Sequence, residues 1–307
     1  WPFCSGVPIW CFLTIAGNRR RSEHMVIDIL CPLYGASAYF PTLMEGIRRQ
    51  KGVEIGHIIF PVTESADDTR ALAASVPNAI VLDVRKADFS HSLTRERAMA
   101  YATADVVIFL TQDVVLSDEY ALKNLAESIG GKVIHAFARQ LTKSRGIEKY
   151  TREKNYPAQS YTMTAADIEK EQIKAFYSSD ACAAYDRKKF LELGGFDGKV
   201  FRVSEDMYFC RKALLAGYAI RYCAESVVTH SHNLTIRQLY RRYYDIGLFF
   251  AQNPEFCQYK STDSGLSLAF YILGQALKHF DLPVLFRWLP DMAARYLGMR
   301  KGKRQKT

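Results

Sequence analysis

Three short polar runs in this chain carry side chains whose types and spacing suit metal and phosphate chemistry. The apolar run Val106-Val107-Ile108-Phe109-Leu110 ends abruptly in Thr111-Gln112-Asp113. An acid at the C-terminal end of an inner strand is where an open α/β sheet presents a group to its ligand crevice. Glu205-Asp206 and His230-Ser231-His232 follow at spacings that let all three runs converge. Hard divalent cations take a few oxygen ligands from protein and the rest from phosphate and water. Asp113 with an imidazole from His230 or His232 would make an open Mn²⁺ or Mg²⁺ site of that kind, although a histidine after a strand is as readily a core residue. Glu205-Asp206 opens a helix, where the macrodipole and capping hydrogen bonds stabilise carboxylates. A carboxylate facing a crevice can instead act as general base towards a hydroxyl. Asp206 is the choice, because Met207, Phe209 and Cys210 set the buried face of that helix.

The surrounding pattern supplies elements able to hold these groups. Val26 to Leu33, Ile55 to Val62, Ala79 to Val84 and the run ending at Asp113 read as strands. Between them Ala38 to Gln50, a short segment from Thr69, and Thr94 to Thr103 read as helices. Strands and helices alternating at this interval imply βαβ units and a mostly parallel sheet. Glu119 to Ile129 forms a helix stopped by Gly130-Gly131, and Val133 to Ala138 another strand. Residues 142–176 read as a long polar loop with one helix around Ala165 to Ala175. Helices from Arg187 and from Met207 to Ala216 precede a strand, Ala219 to Val228, that delivers His230. Beyond Leu234 the pattern is helical and aromatic, fitting either core packing or an amphipathic membrane contact with a basic end.

Composition bounds the function classes. The 307 residues, 49% of them hydrophobic, suffice for one large α/β domain or two small ones. The net charge of +9 is partly local, in Arg19-Arg20-Arg21, Arg241-Arg242 and the stretch from Arg300 to Lys306. Such a balance favours anionic membranes or phosphorylated substrates. Nucleic acid is not expected, since no recognition-helix or Gly-rich phosphate motif is present. Seven cysteines lie scattered without CxxC spacing. That argues against a disulfide framework or zinc site and for a reducing cytosol. Residues 1–16 are fairly apolar but broken by Pro2, Gly6 and Pro8, a basic cluster follows them, and residues 1–24 read as an extension outside the core fold. No segment reads as membrane-spanning.

Six blocks, in order, resemble the bacterial rhamnosyltransferase-like branch of glycosyltransferase family 2. They are Phe89-Ser90-His91-Ser92-Leu93-Thr94-Arg95, Phe109 to Asp113, Arg139-Gln140, Asn155-Tyr156-Pro157, Gly194-Gly195-Phe196-Asp197 with Ser204-Glu205-Asp206, and His230-Ser231-His232-Asn233. The resemblance covers residues 26–250. It implies a GT-A, Rossmann-like α/β domain over 25–235, with a nucleotide-sugar part to about 115 and an acceptor part from about 116. A basic helical segment, 236–307, would associate with membrane or oligomerise. The implied reaction is inverting transfer of a sugar, with dTDP-L-rhamnose as the expected donor, to a hydroxyl of a lipid-linked or cell-surface polysaccharide precursor. The implied place is the inner face of a bacterial plasma membrane.

By the same resemblance Asp113 is the last acid of a metal motif, with Thr111 where many members carry an aspartate. Glu205-Asp206 is the catalytic pair with Asp206 as base, and His230 or His232 a late metal or diphosphate ligand. Pro32, Tyr34 and Glu64 border the nucleotide with Thr111 and Gln112, and Arg95 and Arg237 are candidates for the diphosphate. A same-fold transferase using a UDP-sugar, such as a galactosyl or N-acetylglucosaminyl donor, is the competing enzyme. A non-catalytic nucleotide- or polyanion-binding module is the competing class.

Overall fold

The computed structural model describes residues 25–260 and 262–305. The expected extension at 1–24, with Cys4, Cys11 and Arg19-Arg20-Arg21, lies outside the described residues, as does Lys306. The first half is βαβ throughout: β1 Val26–Leu30, α1 Phe40–Arg48, β2 Glu54–Thr63, α2 Thr69–Ala74, β3 Ala79–Val84, α3 His91–Met99 and β4 Val106–Leu110. The second half runs α4 Ala121–Ala126, β5 Val133–Leu141, α5 Ile147–Asn155, β6 Tyr161–Met163, α6 Ile168–Glu171, β7 Cys182–Asp186, α7 Arg187–Glu192, α8 Glu205–Leu215 and β8 Ala219–Thr229. Three helices follow, α9 Ile236–Gln252, α10 Thr262–Lys278 and α11 Leu282–Lys303.

All eight strands form one sheet in the order β3-β2-β1-β4-β7-β5-β8-β6. The β3-β2-β1-β4 portion is parallel, and the order reverses direction between β1 and β4. A crevice opens outside the carboxyl ends of strands at such a switch point, so Pro32-Leu33-Tyr34 and Thr111-Gln112-Asp113 meet there. Alternation along β4 divides the core. Val106, Ile108 and Leu110 pack on one face with Leu43, Ile47 and Leu122, while Val107 and Phe109 pack on the other with Tyr185, Phe190 and Phe209.

Several elements depart from the sequence reading. The helix expected at Thr94 begins at His91, because the Ser90 hydroxyl caps it by accepting the Leu93 N–H at 3.0 Å. The 142–176 segment is not one long loop. Its polar first part forms α5, whose Ile147 and Tyr150 bury against Ile272 and Ala276 of α10, a tertiary contact that local polarity hides. Strand β7 was not expected, and it pairs antiparallel with both β4 and β5.

The C-terminal helices are tied to the domain, and α9 packs along α11 at very close range. A Cβ at Gly302 would overlap the Tyr244 carbonyl, and one at Gly298 the Tyr240 carbonyl. Glycine there lets the two backbones touch. The opposite side of the α10–α11 hairpin leaves Phe270, Phe280, Phe286 and Leu289 exposed.

Candidate active site

A cleft of about 720 Å³ lies at the switch point. Its metal-type corner is assembled by a small backbone clamp. Val115 and Thr229 exchange N–H···O bonds at 2.9 Å, and His230 N–H donates to the Leu141 carbonyl at 2.9 Å. These tie the loop after β4 to the end of β8. As a result Asp113 Oδ2 lies 3.3 Å from His230 Nε2 and 3.7 Å from His232 Nδ1. One donor atom from each residue fits within 4.8 Å of the others.

The surroundings set the charge state of this corner. His230 Nδ1 lies 2.9 Å from the Gln140 amide oxygen, which holds the ring with Nε2 towards Asp113. An acceptor behind a ring nitrogen is how proteins fix a ligating imidazole. Partial burial opposes ionisation of Asp113, but the hydrogen bond and charge of His230, with His232, hold its carboxylate below the ordinary value. Burial, followed by the neighbouring His230, pushes His232 down to about 4. A carboxylate and two imidazole rings converging at this range form a mixed oxygen and nitrogen donor set, which fits Mn²⁺.

A second group of charges lines the cleft beside it. Arg95, 2% exposed, donates to Glu205 Oε1 at 3.0 Å and to the His91 carbonyl at 3.0 Å. Glu205 is therefore the partner of a buried guanidinium. Asp206 lies next to it in the first turn of α8, after Ser204 in the left-handed region at φ 67°. A non-glycine residue held there is strained, and such strain concentrates at functional sites. Burial first, then the charges of Glu205 and Asp180, raise Asp206 well above the usual carboxylate range.

Asp180 was not singled out from sequence. It is 4% exposed, accepts from Tyr185 Oη at 2.5 Å and lines the cleft. Burial pushes it up to about 7, against the pull of Arg95 and with the push of Glu205. Because β7 is antiparallel, residues preceding it share an edge with residues following β4, and Thr111 N–H donates to the Ala181 carbonyl at 3.0 Å. The run Ser178-Ser179-Asp180 before an apolar strand was the available signal.

The remaining expected residues divide. Pro32, Tyr34, Thr111 and Gln112 line the cleft. The Gln112 amide exchanges hydrogen bonds with the Tyr34 backbone at 2.8 and 3.0 Å, pinning the two strand ends together. Glu64 stands off the wall and accepts the Lys86 N–H at 3.1 Å, while its neighbours Thr63 and Lys86 line the cleft. Arg95 lines it too but is committed to Glu205. Arg237 lines neither this cleft nor the cavity beside it; Arg242 of the same helix lines both. That adjoining cavity, about 560 Å³, is walled by α5, α9 and α11 and shares Asp206, His230 and His232 with the cleft.

Comparison with known proteins follows this geometry. The sequence profile of Glycosyl transferase family 2 matches residues 28–194. The O-antigen chain rhamnosyltransferase RfbN of Salmonella typhimurium is 38% identical over 234 residues, 75% of this chain and 74% of that protein. The O-antigen chain rhamnosyltransferase WbaN of Salmonella anatum is 34% identical over 231 residues, 74% of this chain and 72% of that protein. A mannosyltransferase of Pyrobaculum calidifontis, solved with GDP-Man and Mn²⁺, superposes with a TM-score of 0.60 over 92% of this chain and 88% of its own, at 14% identity. At that identity the likeness shows the GT-A fold.

Proposed function

The chain belongs to glycosyl transferase family 2, and on that premise we propose that it moves L-rhamnose from dTDP-L-rhamnose to a hydroxyl of a lipid-linked polysaccharide precursor, with inversion. It is a nucleotide-sugar-dependent glycosyltransferase. The choice of sugar rests on the two O-antigen rhamnosyltransferases. The observation that carries the mechanism is that Asp206 stands on the wall shared by two cavities.

The nucleotide lies along Pro32, Tyr34 and Gln112, beside Lys86, with its diphosphate towards Asp113, His230 and His232. A divalent cation held by those three side chains would neutralise the charge of the leaving diphosphate. The acceptor hydroxyl enters from the second cavity and attacks the anomeric carbon opposite the departing oxygen. As the new C–O bond forms and the bond to the diphosphate breaks, the hydroxyl proton passes to Asp206. Its raised proton affinity suits a base that must hold that proton. Glu205 acts through Arg95, keeping the start of α8 in place. The proposed organisation is a catalytic unit over 25–235, with α9 and α11 completing the acceptor side.

No helix among the described residues is long and apolar enough to cross a membrane. The exposed apolar face of α10–α11, with Arg300, Lys301 and Lys303 nearby in sequence, supports peripheral docking on an anionic bilayer. A donor panel tests the reading: dTDP-L-rhamnose should be consumed faster than UDP-galactose, UDP-N-acetylglucosamine or GDP-mannose. Preference for a UDP-sugar would assign the competing transferase, and indifference to every donor would leave a binding module.

A further inference from the structure

The second cavity is electrostatically one-sided. It is lined by Arg145, Arg152, Arg242, Arg287 and Arg295 against only Glu148, Asp206 and Asp291. Glu148 is committed to Arg152 at 3.2 Å and Asp291 to Arg295 at 2.5 Å. Among the described residues neither Arg145 nor Arg242 has a carboxylate partner. The N-terminus of α5 opens on the same space through Ser144, Arg145 and Gly146 and carries no side-chain cap. Free N–H groups at a helix start attract oxyanions. Gln140, fully buried on this wall, keeps Nε2 without a partner among the described residues.

The helix that closes the cavity is two-faced. Arg287, Asp291 and Arg295 of α11 turn inward, while Phe286, Leu289 and Tyr296 are 82%, 67% and 62% exposed on the outside. A volume of about 560 Å³ suits a small polar group carrying a sugar ring.

We propose that this cavity is a phosphate-oxyanion site for the acceptor, with Arg145, Arg242 and the start of α5 holding a diphosphate whose sugar reaches Asp206. The inference rests on the reading of the donor cleft given above, since the acceptor hydroxyl must approach Asp206 from this side. Fork-shaped guanidinium contacts suit phosphate oxygens, and a basic cavity beside an apolar helix face fits a diphosphate attached to a lipid. The oxyanion is the shared chemistry, whether it comes from a lipid diphosphate or a soluble phosphorylated glycan.

The test titrates methylenediphosphonate and, separately, farnesyl diphosphate into the full chain, without divalent cations so that neither probe is tied to the Asp113 corner. Calorimetry gives the affinity, and thermal melting checks that each variant is folded. Arg145→Gln, which alters the second cavity alone, should weaken both probes roughly tenfold or more, the scale of one charge-assisted hydrogen bond. Lys86→Gln, on the donor cleft alone, should leave them within about twofold. Tighter binding of farnesyl diphosphate supports a lipid-borne acceptor, and equal binding a soluble one. Unchanged affinity in Arg145→Gln, or a loss carried by Lys86→Gln, overturns the site. Binding of dTDP is measured separately with Mn²⁺ present: its failure with diphosphonate binding intact would overturn the donor reading instead.

Discussion

Replacing Glu205 by alanine should cost stability before it costs chemistry. The Arg95 side chain is 2% exposed and that of Glu205 8%. With the carboxylate gone, the guanidinium keeps the His91 carbonyl at 3.0 Å, and its Nε already lacks a partner among the described residues. Stranding one partner of a buried ion pair costs about 3–5 kcal/mol, set against roughly 5–15 kcal/mol for a whole domain. Urea unfolding of Glu205→Ala should therefore lose about a fifth or more of the folding free energy at unchanged slope. Glu205→Gln keeps an acceptor oxygen and should lose less. Asp206→Asn should behave in the opposite way, because burial, Glu205 and Asp180 all disfavour the ionised Asp206 carboxyl. Its stability at pH 8 should be unchanged or raised while turnover collapses. A cost below about 1 kcal/mol for Glu205→Ala, the scale of an exposed pair, would refute the assignment of Glu205 as the partner of Arg95.

Three further outcomes follow from the geometry. Gln140→Leu removes the oxygen that orients His230, so Mn²⁺ affinity should fall about 10–100-fold in a paramagnetic titration; an unchanged affinity would remove His230 from the centre. Asp180 is raised from 3.8 to about 7, chiefly by burial, so its stabilising contribution is present below about pH 4 and lost as pH rises towards 7. Wild-type folding free energy should decline across that window and Asp180→Asn should flatten the decline, with the acid limb of turnover moving to lower pH as a like charge beside Asp206 is removed; identical profiles would contradict the coupling. Phe280→Asp combined with Phe286→Asp should release the protein from phosphatidylglycerol vesicles in a flotation assay; conversion of a dimer to a monomer without any vesicle binding would instead assign that face to a second copy of the chain.

The residues at strand ends were legible in the sequence, because a parallel βαβ order fixes which end of each strand faces the crevice. Asp113, His230 and His232 were chosen that way and Asp206 from its place at the start of a helix, and all four line the cleft. What escaped depends on strand direction and on distant pairing. Asp180 precedes its strand, and only the antiparallel insertion of β7 beside β4 carries it to the same edge. Arg95 and Glu205 are 110 residues apart, so no local pattern shows that the expected diphosphate ligand is spent on the expected catalytic acid. Arg237 was a candidate because a guanidinium fork matches phosphate oxygens, but it lines neither cavity, whereas Arg242 of the same helix lines both. The α5 segment read as loop because its polar sequence hides two residues, Ile147 and Tyr150, that the C-terminal helices bury.

The most direct test of the account is single-turnover transfer by Asp206→Asn, with donor affinity measured on the same preparation. General-base assistance is worth about 10²–10⁴ in rate. The account predicts that the rate of sugar transfer falls at least about a hundredfold while dTDP affinity stays within about twofold of wild type. Transfer at close to the wild-type rate, with the donor bound normally, would contradict it.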